Sequence, residues 1–348
     1  MKYLFEISKE HKSFPRSEII CCLKSENIEN DIIEENSNIL IFEIKDNKKL
    51  NSIFSRLSFT FFVDKFLFSC QPNIKNIKKN AEVAKINLKG SIAIKYKNRS
   101  KNIDSQKVVR TLASVLTQDK KVDLRNPKNE IRALITDSKV YIGLKLFEID
   151  RSQYEKRKVQ YRPFFSPISL HPKIARALVN ISCIKENHIL LDPFCGTGGF
   201  LIEAGLIGAR VIGSDVEEKM IEGCKKTLSR YNIKNYNLYS LDIGSINKYV
   251  NNVDAVVTDL PYGKSTTTRG ENRTDLYERS FKAISQVLNN NGKAVIGLPD
   301  KNLILIGKKY MKLVEIHKFV AHKSLTRFFA VFQNNHKSYT IYCNPYLL

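Results

Sequence analysis

The chain has 348 residues, 43% of them hydrophobic, which is long for one domain and enough for two or three with sizeable cores. The formal net charge is +22, and no apolar run approaches the roughly eighteen residues of a membrane span, so the expected partner is a polyanion and not a bilayer. Seven cysteines, with no Cys-x-x-Cys pair and no His/Cys ligand spacing, argue against a zinc site. With an amphipathic strand rather than a signal peptide at the start, they read as reduced thiols of a cytoplasmic protein.

The charge is unevenly spread. Residues 1–50 carry 8 basic and 10 acidic side chains, 51–150 carry 20 and 9, and 151–348 carry 29 and 16. A lysine-rich background composition does not account for the acidic first segment, so the basic middle one reads as nucleic-acid-binding. Alternating and apolar runs predict strands over 3–7 and 38–44 around a helix over 17–24. A helix over 50–57 and strands over 59–68, 81–85 and 92–97 follow. Val108, Leu112, Val115 and Leu116 share one face of a helix over 104–116, before strands over 130–136 and 140–144. Residues 151–162 form a charged linker, with Arg151, Lys156, Arg157, Lys158 and Arg162 against Glu155. It is either solvated or in reach of nucleic acid, whose bases could stack on Tyr154 and Tyr161.

Past an amphipathic helix ending at 179, a strand over 188–191 runs into Asp192-Pro193-Phe194-Cys195-Gly196-Thr197-Gly198-Gly199. Glycines in such a turn let backbone approach a ligand at the first strand–helix crossover of an open parallel sheet. A dinucleotide fingerprint needs a third glycine where Leu201 stands, and no Gly-Lys-Ser/Thr follows for a phosphate loop. The acid before the turn would repel a pyrophosphate but accept bonds from an ammonium group. S-adenosylmethionine, which carries an ammonium and a sulfonium, is the expected cofactor. Further strands end at Asp215, Asp242 and Asp259; an acid at the second strand end suits ribose hydroxyls, and Asp242 is placed for the adenine edge. Strands over 253–258 and 292–298 flank a helix over 275–288, and 312–318 with 327–333 form an antiparallel pair. His171, before a proline at a helix start, reads as structural, and Cys195 as a small loop residue.

These segments resemble the amino-methyltransferases that act on exocyclic nitrogens through an Asp/Asn-Pro-Pro-Tyr turn, and more closely the archaeal tRNA guanosine-10 N2-methyltransferases. The resemblance rests on Tyr161-Arg162-Pro163-Phe164-Phe165, Ser169-Leu170-His171-Pro172-Lys173, the Asp192 loop, Asp259-Leu260-Pro261-Tyr262 with Lys264-Ser265-Thr266, and His322-Lys323-Ser324-Leu325-Thr326-Arg327. It covers the chain after residue 50 and is densest after 160. It implies an α/β protein: a ferredoxin-like module over 1–50, a THUMP RNA-binding domain over 51–150, a basic linker over 151–162, and a Rossmann-like methyltransferase domain over 163–348. The last should hold a mostly parallel seven-stranded sheet with an antiparallel last strand. S-adenosylmethionine would be bound by Asp192, Pro193, Phe194, Gly196, Thr197, Gly198, Asp215 and Asp242, with no metal. The implied partner is tRNA, without membrane association, and the chain is expected to be a monomer.

The catalytic candidates are Asp259, Leu260, Pro261 and Tyr262. An exocyclic amine is a poor nucleophile because its lone pair is delocalised into the ring. The Asp259 carboxylate and Leu260 carbonyl would accept its two hydrogens and hold the nitrogen in line with a methyl donor. Pro261 would stiffen the turn, and Tyr262 would face a flipped base. Leu260 stands where the family has proline; related THUMP-bearing enzymes acting at tRNA position six also accept other residues there, so that register stays open. The expected reaction is N2-methylation of guanosine 10, with DNA adenine methylation or non-catalytic RNA binding as rivals. Residues 264–273 are either a mobile lid or a long connection, and 339–348 fit no pattern.

Overall fold

The computed structural model describes residues 1–45, 48–84, 86, 88–118, 120–164, 169–262, 272–322 and 325–335. The chain opens with β1 (Lys2–Ile7), α1 (Phe14–Ser25), β2 (Asn30–Glu35), β3 (Ile39–Ile44) and α2 (Leu50–Arg56). It continues through β4 (Thr60–Cys70), α3 (Ile74–Val83), β5 (Ile92–Asn98), α4 (Ser105–Leu116), β6 (Asn129–Ile135) and β7 (Val140–Glu148). The second half comprises α5 (Ser152–Lys156), α6 (Pro172–Ile181), β8 (Ile189–Asp192), α7 (Gly199–Gly205), β9 (Arg210–Asp215), α8 (Glu218–Arg230) and β10 (Tyr236–Ser240). It closes with β11 (Val253–Asp259), α9 (Arg273–Val287), β12 (Leu288–Leu298), α10 (Ile304–Gly307), β13 (Lys312–His322) and β14 (Leu325–Gln333). Among the described residues, no helix is long and apolar enough to cross a membrane.

Two compact units emerge. The first holds Met1–Lys12, Asn27–Ser55 and Phe59–Asp150; the second holds Ser13–Glu26, Arg56–Ser58 and the chain from Arg151 onward. In the first, one sheet of order β2-β3-β1-β4-β7-β6-β5 draws strands from both sides of residue 50. Only β5 and β6 pair in parallel there. The sheet buries Ile92, Ile131, Ala133 and Ile142 beneath Ile77 and Ala81 of α3 and Val108, Leu112 and Leu116 of α4. The strand expected from residue 81 is instead the last turn of α3. Asn73 caps that helix by accepting the Asn76 N–H at 2.8 Å, and Ile77 and Ala81, four apart, fall on its buried face. Residues 85 and 87 lie outside the described set. β2, which the sequence did not announce, is an edge strand whose Asn, Asp and Glu side chains mask its extended pairing.

The second unit carries the sheet β10-β9-β8-β11-β12-β14-β13, parallel except for β14, as expected. Strand order reverses between β8 and β11, so the loops leaving those strands bound the crevice where α/β folds bind ligands. Residues 323–324 and 336–348, including part of the expected C-terminal motif and the unpatterned tail, lie outside the described residues.

The charged segment over 151–162 turns inward in part. Tyr154 is 1% exposed, with its hydroxyl donating to the Leu57 carbonyl at 3.1 Å, so it offers no face to a base. Arg157 and Arg176 both pair with Glu203, which is fully buried. Arg162 is buried too, donating through Nε to the Arg157 carbonyl, whereas Tyr161 remains exposed.

α1 belongs to this second unit. Ser17 Oγ donates to Glu315 Oε2 at 2.6 Å, and the Phe14 ring packs against His317 and Phe329. Glu18, wholly buried, accepts the Ser58 N–H at 2.8 Å, the Ser58 hydroxyl at 2.7 Å and the Asn180 amide at 2.8 Å. Removing a carboxylate that accepts from three buried donors takes the side-chain partner of the Ser58 N–H and hydroxyl and leaves the Asn180 amide only its bond to the Arg56 carbonyl at 3.0 Å. Glu18→Ala is expected to lower the unfolding free energy by about 2–4 kcal/mol in a denaturant titration, and Glu18→Gln, which keeps one acceptor, by less.

Candidate active site

The site grows from the carboxyl ends of β8, β9, β10 and β11. Asp192 closes β8 and is 2% exposed. Its Oδ1 accepts the Thr258 hydroxyl at 2.7 Å and the Phe194 N–H at 3.2 Å, tying the end of β8 both to β11 and to its own loop. Burial pushes its carboxyl up to about 7 against the pull of those two bonds. The loop is pinned to β9 by three bonds. Cys195 N–H donates to the Ser214 carbonyl at 2.9 Å, Ser214 Oγ to the Pro193 carbonyl at 3.2 Å, and Gly196 N–H to Asp215 Oδ2 at 3.0 Å.

Two glycines are required by geometry. Gly198, with φ +80°, caps α7, and a Cβ there would lie 2.7 Å from Cys224 Sγ. Gly196, with φ +48°, has no atom within 4 Å of where its Cβ would stand, so the loop borders open space at that point. Pro193 and Thr197 are buried and Phe194 half-buried; Thr197 Oγ1 lies 3.0 Å from Ser169 Oγ. Asp215 takes the Glu217 N–H on Oδ1 at 3.0 Å, and burial raises its carboxyl.

Asp242, just past β10, accepts the Gly244 N–H at 2.8 Å and a two-pronged ion pair from Arg279, whose Nη2 is 2.9 Å from Oδ2. That arginine occupies the carboxylate expected to meet an adenine edge, and nothing in the sequence pattern announced it.

At the end of β11 the turn is held by its neighbours. Leu260 N–H donates to the Gly297 carbonyl at 3.1 Å, and the Tyr277 hydroxyl to the Pro261 carbonyl at 2.8 Å. The Leu260 side chain is buried in the core beside Tyr277, Leu298 and Ile296. The Tyr262 hydroxyl donates to Asp259 Oδ1, while Arg327 Nε lies 3.3 Å from Oδ2 and its guanidinium 5.5 Å from the Tyr262 ring centre. Burial raises Asp259; the Arg327 charge and the Tyr262 bond oppose the rise. Burial, then the Asp259 charge, raises the Tyr262 hydroxyl far above its usual range. Gly297 is obligatory beside this group, since a Cβ there would fall 2.1 Å from Asp259 Oδ1.

The structure thus brings all twelve expected residues to one edge of one sheet. Thr258, Gly297, Arg279 and Arg327 were missed as site residues, although each lies in a segment the sequence reading had already named. The loop over 264–271 lies outside the described residues. Among the described residues no cluster of three or more His, Cys, Asp or Glu could hold a metal.

A THUMP domain model matches residues 74–145, and a model described as an RMKL-like methyltransferase domain matches 159–327. Fold and site together define a THUMP-bearing methyltransferase. The chain is 30% identical to the tRNA (guanine(10)-N2)-dimethyltransferase of Methanothermobacter thermautotrophicus over 339 residues, 96% of this chain and 99% of that protein. It is 31% identical to the Methanocaldococcus jannaschii protein of the same name over 357 residues, covering 94% and 99%. This chain belongs to the tRNA (guanine(10)-N2)-dimethyltransferase family. Among solved structures it shares the fold of TrmN from Thermus thermophilus, at a TM-score of 0.54 and 16% identity over 96% of this chain and 100% of that one.

Asp192 supplies a pH test. Its carboxyl, held near 7 when folded against an ordinary 3.8, keeps a proton that the unfolded chain has released. The associated stability is complete below about pH 4 and is lost as pH rises through the folded value. The stability of the wild type relative to Asp192→Asn, which keeps an acceptor for Thr258 and Phe194, is expected to fall between about pH 4 and 8 in paired denaturation curves.

Proposed function

We propose that this chain methylates the N2 amine of guanosine 10 in tRNA, giving N2-methyl- and N2,N2-dimethylguanosine. The observation that carries this reading is the Asp259–Tyr262 turn, joined through Thr258 to the Asp192 loop, in a chain of this family. The first unit would grip the tRNA through its basic surplus while the second presents the turn. We assign the enzyme to the cytoplasm as a monomer.

The open space at Gly196 and the ring of strand-end acids fit S-adenosylmethionine. When bound, it supplies an electrophilic methyl group on a sulfonium. Asp192, Pro193, Phe194, Gly196, Thr197 and Gly198 would shape its cradle, Asp215 would take the ribose, and Asp242 the adenine edge once Arg279 releases it. Asp259 and the Leu260 carbonyl would each accept one hydrogen of the guanine amine, drawing its lone pair out of the ring and toward the methyl. The entering N–H would displace the Tyr262 hydroxyl from Asp259 Oδ1, freeing that ring to lie against the flipped base. Arg327 would oppose the rise that burial imposes on Asp259. After transfer the amine sheds its proton to Asp259 or to water, and the raised carboxyl suits that role.

Labelled S-adenosylmethionine, an unmodified tRNA transcript and nucleoside mass spectrometry test the assignment. N2-methylguanosine at position ten, abolished in Asp259→Ala with cofactor binding retained, is expected. Product at position six would change the substrate register, and no transfer to any RNA would sink the assignment. Arg327→Met removes the charge that opposes the rise of Asp259. The acid limb of its pH–rate profile is expected to move to higher pH, with activity near neutrality falling by about 10- to 100-fold and partly returning in alkali.

A further inference from the structure

Outside the catalytic edge, a second cluster of reactive groups lies within the second unit. Cys21, on α1, is 2% exposed, and Cys183, just after α6, is half-buried. Their thiols are hydrogen-bonded to each other, and Lys293 of β12 bonds both sulfurs, its Nζ 3.3 Å from Cys21 Sγ. Cys183 has φ +60°, a left-handed conformation strained for any side chain, so a sulfur is held where glycine would be easier. The Cys21 S–H and the Lys293 ammonium both favour the Cys183 thiolate and lower its pKa, while Cys21 is raised.

We propose that Cys21 and Cys183 are a thiol pair that peroxides oxidise to a disulfide, with Cys183 as the attacking sulfur, Cys21 as the resolving one and Lys293 as the charge that activates the pair. The Cys183 thiolate attacks a peroxide oxygen, the O–O bond breaks, and the departing hydroxide takes a proton to leave as water. The Cys21 thiol then attacks the resulting sulfenic acid, forming the S–S bond and releasing a second water. Two thiols and one hydrogen peroxide thus give one disulfide and two waters, the thiols losing the two electrons that the peroxide gains.

The bond would fasten α1 to the end of α6. The chain leaves the second unit at Glu26 and re-enters for good at Arg151, so the disulfide would bracket nearly the whole excursion through the first unit. A second thiol pair, Cys195 with Cys224, serves as an internal comparison. Both of its members are buried, and the hydrogen bond to Cys224, then burial, raises Cys195, which leaves neither access nor an activating lysine. Cys22 is fully buried and raised to about 11, and Cys70 stands without a partner thiol among the described residues. Cys343 lies outside the described residues.

The test treats the reduced full-length protein with a few equivalents of hydrogen peroxide, blocks free thiols with an alkylating reagent and maps peptides without reduction. A linked peptide joining Cys21 to Cys183, formed before any other thiol is lost, is expected. Cys183→Ser should abolish it, and Lys293→Met should slow it about tenfold at neutral pH while leaving the Cys195–Cys224 pair unchanged. Cys21→Ser, a near-isosteric change, should leave Cys183 alkylatable and trap it as a sulfenic acid. Both cysteines remaining free, Cys195 or Cys224 oxidising first, or a Lys293→Met protein linking at the wild-type rate would each overturn the proposal.

Discussion

The 2.7 Å bond from the Thr258 hydroxyl to Asp192 joins the two halves of the site. β8 and β11 lie side by side where strand order reverses, and the chain leaves them into different loops, the glycine turn and the Asp259 turn. Backbone pairing between them stops at Leu191 and Val256, so beyond that register nothing in the ladder relates one loop to the other. The Asp192–Thr258 bond extends the link to the last residues of both strands. Because it is buried, losing it would expose no water-accessible substitute, and the cost is that of an unpaired group in apolar surroundings. On the proposed assignment, methyl donor and amine must meet within a fraction of an ångström of the productive line, and this bond would couple the two loops that hold them.

The Asp259 turn shows how a departure from a family pattern can be absorbed. Proline at the second position would stiffen the backbone but carry no N–H. Leucine restores that donor, and the structure uses it: Leu260 bonds to the Gly297 carbonyl and so continues the pairing of β11 with β12. Its side chain is buried with Tyr277, whose hydroxyl in turn holds the next carbonyl, that of Pro261. Leucine also gives up the ring that would fix the backbone there. The structure replaces ring rigidity with one ladder bond, one side-chain bond and core packing.

Periodicity and spacing made the second unit legible, because β8, β9 and β11 are short apolar runs that each end in an aspartate. The strand over 189–192, the acids closing β9 and β11 and the antiparallel final pair all follow from that pattern. Pairing partners did not. Asp242 reads as a free acceptor until Arg279, 37 positions on, is seen to fill it. Nor could local pattern reveal that α1, flanked by strands of the first unit, belongs to the second. That allegiance rests on Glu18 meeting Ser58 and Asn180, contacts 40 and 162 residues apart. In α3 the polar lysines and asparagines hid a helix whose apolar face is only two residues wide.

Charge composition was informative in sum and misleading in place. The segment over 151–162 read as either a solvated linker or a guide for nucleic acid, yet Arg157 and Arg162 are interior groups, one of them paired with a buried glutamate. The reverse holds at the catalytic edge. In a chain of net charge +22, Asp192, Asp215, Asp242 and Asp259 gather at one margin of one sheet, each raised by burial or matched by an arginine. A margin of that sign disfavours a phosphate and favours a cation. On the proposed reading, these acids would repel a phosphate backbone and draw in a ligand carrying ammonium and sulfonium charges. What would enter beside it, on that assignment, is an uncharged base with hydrogens to donate to Asp259 and the Leu260 carbonyl.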